Sequence, residues 1–175
     1  MIKIEEVENI LDIFRKAQKA ITGGNFYELG ELSDHTINTA SRTQDPDNIT
    51  VAVIIYSIGK ILGRPNYQKF PGWKKYYSNL IFSIENIIKQ LQKKDIASAR
   101  ATLNEMRTSI EHLSGDLKFY IQDVFRKASI NKASKIYEHG ISMETTARLL
   151  GVTLWELASY AGTKASKTEA VDERG

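Results

Sequence analysis

Residues 46–62 read PDNITVAVIIYSIGKIL and contain the longest apolar run of the chain, from Val51 to Ile55. The run is too short to cross a bilayer, because a membrane-spanning helix needs about 20 apolar residues. Asp47 or Asn48 can cap the start of a helix here, and Gly63 can end it. The segment therefore predicts a buried central helix, against which the rest of the chain must pack.

Helical periodicity extends over most of the chain on both sides of this segment. Apolar residues recur at spacings of three and four in five further predicted helices, at 4–21, about 26–40, 71–91, about 96–113 and about 117–139. Pro71 is expected to be the first residue of the fourth helix of the chain, and Asp95 to cap the fifth. The predicted apolar stripe of the fourth helix consists of Tyr77, Leu80, Ile81, Ile84, Ile87 and Ile88. No segment shows the strict alternation of a strand bounded by hairpin turns. Because the loops are short, neighbouring helices are expected to be antiparallel. The predicted fold class is all-α, a helical bundle followed by a C-terminal helix-turn-helix unit.

Composition limits the functions that the chain can have. With 175 residues, of which 42% are hydrophobic and 26% charged, the chain can bury a core. It contains no cysteine, so disulfides, thiolate zinc sites and cysteine nucleophiles are excluded. The three histidines show no metal-ligand spacing, and neither a metal nor a cofactor is predicted. Acids interrupt the apolar pattern at the N-terminus, so we expect a cytoplasmic protein without a secretion signal or membrane contact.

A helix-turn-helix pattern lies near the C-terminus, in residues 141–162, ISMETTARLLGVTLWELASYAG. Ala147 has the small side chain that is needed where two helices cross steeply, and Gly151 tolerates the positive φ of a tight turn. Thr153 can cap the second helix. The chain is therefore predicted to have three parts, a helical bundle, a helix-turn-helix unit and a disordered tail, at residues 1–130, 131–162 and 163–175.

The string from Gly140 to Gly162 resembles the helix-turn-helix segment of small prokaryotic and archaeal antitoxin-type regulators. A similar run of alanine, leucine-leucine-glycine, a β-branched residue and tryptophan recurs in that family. The string is also similar to the end of archaeal helical proteins. This resemblance implies a transcriptional or toxin-linked regulator that binds double-stranded DNA as a homodimer. Residues 1–130 carry no comparable resemblance.

The predicted second helix of this unit has no lysine or arginine on its exposed face, and phosphate would repel Glu156 there. Phosphate contacts are therefore expected from cations before and after that helix. The residues predicted to contact DNA are Lys132, Lys135, Arg148, Thr153, Trp155, Ser159, Lys164 and Lys167. The alternative is a helical adaptor, in which Leu154 and Trp155 anchor a protein partner.

A second basic segment, residues 60–77, interleaves cations with aromatic residues and contains no acid. Cations attract phosphate and aromatic faces can stack on unpaired bases, so this composition suits RNA or single-stranded DNA. The residues predicted to form this secondary patch are Arg64, Lys69, Trp73, Lys74 and Lys75. The alternative is a solvated loop that its aromatic side chains hold against the bundle.

Arg107 and His112 have the R-x4-H spacing on the predicted fifth helix, and the pair resembles the catalytic pattern of helical HEPN ribonucleases. This resemblance implies a dimer groove in which the histidine transfers protons and the arginine stabilises a phosphate. Thr108 departs from the family pattern, which has a polar amide or an acid after the arginine. A surface arginine and a histidine at a helix C-terminus explain the same pair. We therefore predict a protein that is not an enzyme.

Overall fold

The computed structural model describes residues 4–43, 46–64, 68–113, 115–138, 142 and 144. These residues contain six α-helices and no β-strand, so the all-α class is confirmed for this part of the chain. The helices are α1 (Ile4–Gly23), α2 (Tyr27–Thr43), α3 (Pro46–Leu62), α4 (Trp73–Gln92), α5 (Ile96–Thr108) and α6 (Gly115–Glu138). A 3₁₀ helix, Ser109–His112, follows α5 directly.

Helix α3 lies at the centre of the bundle, as its apolar run predicts. Every residue from Val51 to Ile55 is buried, and α3 contacts α1, α2, α5 and α6. Pro46 is the first residue of the helix, where its missing N–H costs no hydrogen bond. Gly59 permits a close approach of α2, because a Cβ at this position would lie 3.1 Å from the Cβ of Leu29.

Helix α4 packs between α1 and α5, and its start differs from the prediction. It begins at Trp73 rather than at Pro71, because Gly72 adopts the left-handed conformation, with φ of 87°. The buried face of α4 therefore includes Trp73 and Tyr76, which were not assigned to the predicted stripe. Tyr77, which was assigned to it, is only half-buried.

Helix α5 begins where it is predicted to begin but ends earlier. The Asp95 side chain accepts a hydrogen bond from the Ser98 N–H at 3.2 Å, which confirms Asp95 as the N-cap. The α-helix ends at Thr108, and His112 belongs to the 3₁₀ helix that follows. The predicted single α-helix through His112 or Leu113 is therefore wrong. Its last turn has tightened, as helix ends often do.

Helix α6 packs mainly against α3 and also contacts α2. Its buried residues extend from Leu117 to Ser134, so the helix crosses the predicted boundary between residues 130 and 131 without a break. Packing against the bundle thus continues past residue 130. None of the helices in the described part of the chain is long and apolar enough to span a membrane. Apart from Ser142 and Glu144, the predicted helix-turn-helix segment 141–162 lies outside the described residues.

Candidate functional site

Lys132, a buried residue of α6, contacts side chains of α2 and α3. The side chain of Lys132 is fully buried, which is rare for lysine unless it has a partner. Its Nζ donates a hydrogen bond to Asp34 Oδ1 at 3.0 Å and lies 4.1 Å from the centre of the Tyr56 ring. Lys135 also donates to Asp34. We refer to Asp34, Tyr56, Lys132 and Lys135 as the lysine cluster.

Close packing of α2 against α3 brings the members of this cluster together. The Ser33 hydroxyl donates to the Ala52 carbonyl oxygen at 2.7 Å, which fixes the two helices side by side. Asp34 follows Ser33 on α2, and Tyr56 lies one turn after Ala52 on α3. On α6, Ala128 and Ala133 are fully buried, and α6 contacts both α2 and α3. Lys132 therefore enters the bundle at the junction of three helices.

Burial and pairing shift the pKa values of both charged partners. Burial lowers the pKa of Lys132 to about 8, although the hydrogen bond to Asp34 acts in the opposite direction. Burial alone would raise the pKa of Asp34, but hydrogen bonds from Lys135 and Lys132 hold it below its ordinary value. The Tyr56 ring adds a cation–π contact to Lys132. At neutral pH Asp34 and Lys132 are therefore both charged, and each group stabilises the charged form of the other.

A cleft of about 400 Å³ adjoins the lysine cluster, between α2 and the C-terminal half of α3. We refer to it as the α2–α3 cleft. Asp34 and Tyr56 belong both to the cleft and to the cluster. The other side chains with aromatic or charged groups in the cleft are Phe26, Tyr27, Glu31, Lys60 and Arg64. Tyr27 is 81% exposed, a high value for a large aromatic side chain. The cleft thus combines exposed aromatic surface with cations.

The structure places the residues of the predicted secondary patch in different surroundings. Arg64 lines the α2–α3 cleft, whereas Lys75 lines a different groove. Trp73 is only 8% exposed, and its ring packs against Tyr76, with ring centres 5.8 Å apart. A buried ring cannot stack on a base, so Trp73 contributes to the core instead. Lys69 and Lys74 are exposed.

The second groove, of about 520 Å³, lies between α4, the end of α5, the 3₁₀ helix and the start of α6. We refer to it as the α4–α6 groove. His112 and Lys75 line it, together with Phe82, which is 63% exposed. Arg107 is exposed on the last turn of α5 and is not among the lining residues. The R-x4-H pair therefore spans an α-helix and a 3₁₀ helix, and its histidine lines the α4–α6 groove whereas its arginine does not.

Two of the predicted DNA contacts, Lys132 and Lys135, lie among the described residues. Lys132 is buried in an ion pair, so its side chain does not reach solvent or phosphate. Lys135 is 33% exposed and contacts Asp34. The remaining predicted DNA contacts, Arg148, Thr153, Trp155, Ser159, Lys164 and Lys167, lie outside the described residues. In the part of the chain that the structure describes, no group of three acidic or histidine side chains could hold a metal ion.

The lysine cluster and the α2–α3 cleft were not predicted from the sequence as a site. One local signal was available, because Val124, Ala128 and Lys132 share the buried stripe of α6 at spacings of four. A lysine in such a stripe needs a partner inside the bundle. Nothing in the local sequence identifies that partner as Asp34, which lies 98 positions away.

No protein-family model, curated protein or solved structure matches this chain. The function is therefore inferred from the residues and their arrangement.

Proposed function

We propose that the protein is a DNA-binding regulator that uses residues 141–162 as a helix-turn-helix. The observation that carries this proposal is the sequence of that segment, with Ala147 and Gly151 at the positions that a steep helix crossing and a tight turn require. The net charge of +3 and the pI near 9.0 favour contact with a polyanion.

The position of α6 supports the proposal. This helix ends at Glu138, just before the proposed DNA-binding segment begins. Lys132 and Lys135 attach its last turns to Asp34 on α2. The helix that precedes the proposed segment is thus fixed to the bundle.

The cations that contact phosphate in this proposal are Arg148, Lys164 and Lys167. Lys132 is excluded because its ammonium group is buried in the lysine cluster. Lys135 would have to exchange its contact with Asp34 for a phosphate. The proposal therefore depends on the cations that follow α6 rather than on those within it.

The test is a titration of the full-length protein with duplex DNA over a range of salt concentrations. Each phosphate contact steepens the fall of log K with log salt by about 0.9 for B-DNA. Arg148→Ala and Lys164→Ala are therefore each expected to reduce the slope by about 1. Lys89→Ala is the matched control, because Lys89 is exposed on α4 and, among the described residues, forms its ion pair with Glu85. Equal slopes for all four proteins would contradict the proposal.

A second candidate function is the binding of single-stranded RNA in the α4–α6 groove. The observation that favours it is the presence of Lys75, His112 and the exposed Phe82 in one groove. A cation can hold the backbone there, and an exposed aromatic ring can stack on a base. The carboxylate of Glu105 also lines this groove and would oppose a phosphate placed next to it.

Variants of the groove separate this candidate from duplex binding. Phe82→Ala is expected to weaken RNA binding several-fold and to leave duplex binding unchanged. Phe119→Ala is the matched control, because Phe119 is 72% exposed but does not line the groove. RNA cleavage that is lost in His112→Ala would extend this candidate to the ribonuclease class. If neither nucleic acid binds, while Trp155→Ala abolishes binding of a protein partner, the adaptor alternative replaces both.

A further inference from the structure

We propose that the α2–α3 cleft is a binding site for a nucleoside phosphate, with the base on Tyr27 and the phosphate between Lys60 and Arg64. This proposal does not depend on the function proposed for residues 141–162. It is carried by the presence of an exposed aromatic ring, two cations and a charge-compensated carboxylate in one cleft.

Tyr27 is the side chain that is available for stacking. It is 81% exposed, although a tyrosine ring buried against the bundle would remove a large apolar area from water. It is the first residue of α2 and lines the cleft next to Phe26, which packs partly against the core. Tyr56 is held differently, because Lys132 Nζ lies 4.1 Å and Lys60 Nζ 5.3 Å from its ring centre. The Tyr56 ring is therefore part of the cleft wall, whereas the exposed ring of Tyr27 can stack on a base.

Lys60 and Arg64 can hold the phosphate. Lys60 lies in the last turn of α3 and Arg64 follows two residues after the end of that helix, and both side chains line the cleft. Among the described residues, Arg64 makes no ion pair, and the contact that Lys60 makes is with the Tyr56 ring. A guanidinium group next to an ammonium group suits a phosphate, which can accept two hydrogen bonds from the arginine.

The helix dipoles do not by themselves explain why Lys60 and Arg64 lie at the end of α3 and just after it. Cations are favourable at a helix C-terminus such as that of α3. However, α2 and α3 are antiparallel, since Ser33 contacts Ala52 and Leu29 lies next to Gly59. The positive end of α2 therefore lies beside the negative end of α3, and the two helix dipoles largely cancel there.

The carboxylates of the cleft do not exclude an anion. Asp34 is hydrogen-bonded by both Lys132 and Lys135, so its charge is compensated within the lysine cluster. Glu31 is exposed and forms no ion pair in the described part of the chain. Its carboxylate can accept a hydrogen bond from the exocyclic amino group of a base. Two cations and two acids thus line the cleft. Because Lys132 and Lys135 compensate Asp34 from outside the cleft, Glu31 is the acid that remains available for base recognition.

The size of the cleft fits one nucleotide. Its volume of about 400 Å³ lies at the lower end of the range for small-molecule sites, about 300–1,000 Å³. A nucleic-acid strand would need a groove that continues beyond a single base and phosphate. The volume of the cleft therefore suits a mononucleotide.

The test is isothermal titration of the full-length protein with AMP, GMP, CMP and UMP, and with adenosine and inorganic phosphate as partial ligands. At least one mononucleotide is expected to bind more tightly than either partial ligand. Tyr27→Ala and Arg64→Gln are each expected to weaken that binding about fivefold or more. The matched controls are Phe119→Ala, with an exposed aromatic ring elsewhere, and Lys74→Gln, with an exposed cation outside the cleft.

Three results would overturn the proposal. The first is that no mononucleotide binds at concentrations up to about 1 mM, where the free energy of binding is only about −4 kcal/mol. The second is that inorganic phosphate binds as well as AMP and that Tyr27→Ala has no effect, which would leave a plain anion site. The third is that a 5′-phosphorylated tetranucleotide binds in the cleft while the four mononucleotides do not. Circular dichroism of each variant confirms that the helices are retained.

Discussion

Replacement of Lys132 by methionine tests the buried ion pair through the pH dependence of stability. In the folded protein, burial lowers the pKa of Lys132 from its ordinary value of 10.5 to about 8. Between these two pH values the unfolded chain binds more protons than the folded protein, so stability rises with pH in this window. One pKa unit corresponds to about 1.4 kcal/mol, so the full rise is about 3 kcal/mol at most. Lys132→Met removes the titrating group and with it the rise.

The assay is urea denaturation of both proteins between pH 7 and about 10.5. The free energy of unfolding of Lys132→Met minus that of the parent protein is expected to fall with pH, by up to about 3 kcal/mol. This subtraction cancels the titration of tyrosines and other lysines. Lys127→Met is the matched control, because Lys127 lies on the same helix, is 75% exposed and pairs with Asp123. A difference for Lys132→Met that is as flat with pH as the control would refute the reasoning.

Three further substitutions test the packing around the same junction, each by denaturation. Asp34→Asn removes the carboxylate that raises the pKa of Lys132, so the lower limit of the window of rising stability is expected to move below pH 8 and the free energy of unfolding at pH 7 to fall by about 1–3 kcal/mol; an unchanged window would contradict this. Gly59→Val is expected to cost about 1–3 kcal/mol, because a Cβ there meets Leu29 at 3.1 Å; a variant as stable as the parent would show that the two helices can separate freely. Ile54→Ala, at 1% exposure in the central helix, is expected to cost about 2–5 kcal/mol; a loss below about 1 kcal/mol would be inconsistent with a central α3.

The helices could be predicted from the sequence because local patterns determine them. The apolar run of α3 and the cap at Asp95 act within a few residues, and both predictions are confirmed. The errors lie at helix ends, where small conformational preferences compete. At the start of α4, the positive φ of Gly72 delays the helix past Pro71. At the end of α5, the α-helix gives way to a 3₁₀ turn that no residue type in that segment requires.

The candidate site could not be predicted in the same way, because its partners are far apart in the sequence. Lys132 was interpreted as a phosphate contact, since it is a cation that precedes a helix-turn-helix pattern. Its burial depends on how α6 packs against α2 and α3, which local sequence does not specify. Similarly, Arg64 and Tyr27 are separated by two helices and meet only because α2 and α3 are antiparallel. Local sequence patterns therefore predict the helices but not the contacts between residues on different helices.

The most direct test of the DNA-binding proposal is fluorescence anisotropy of the full-length protein with a mixed duplex DNA and a single-stranded RNA, at about 50 mM and 200 mM salt. The proposal predicts tighter binding to the duplex, with an affinity that falls steeply between the two salt concentrations. Tighter binding to RNA would contradict it and favour the α4–α6 groove. An absence of binding to both at low salt would contradict both nucleic-acid functions.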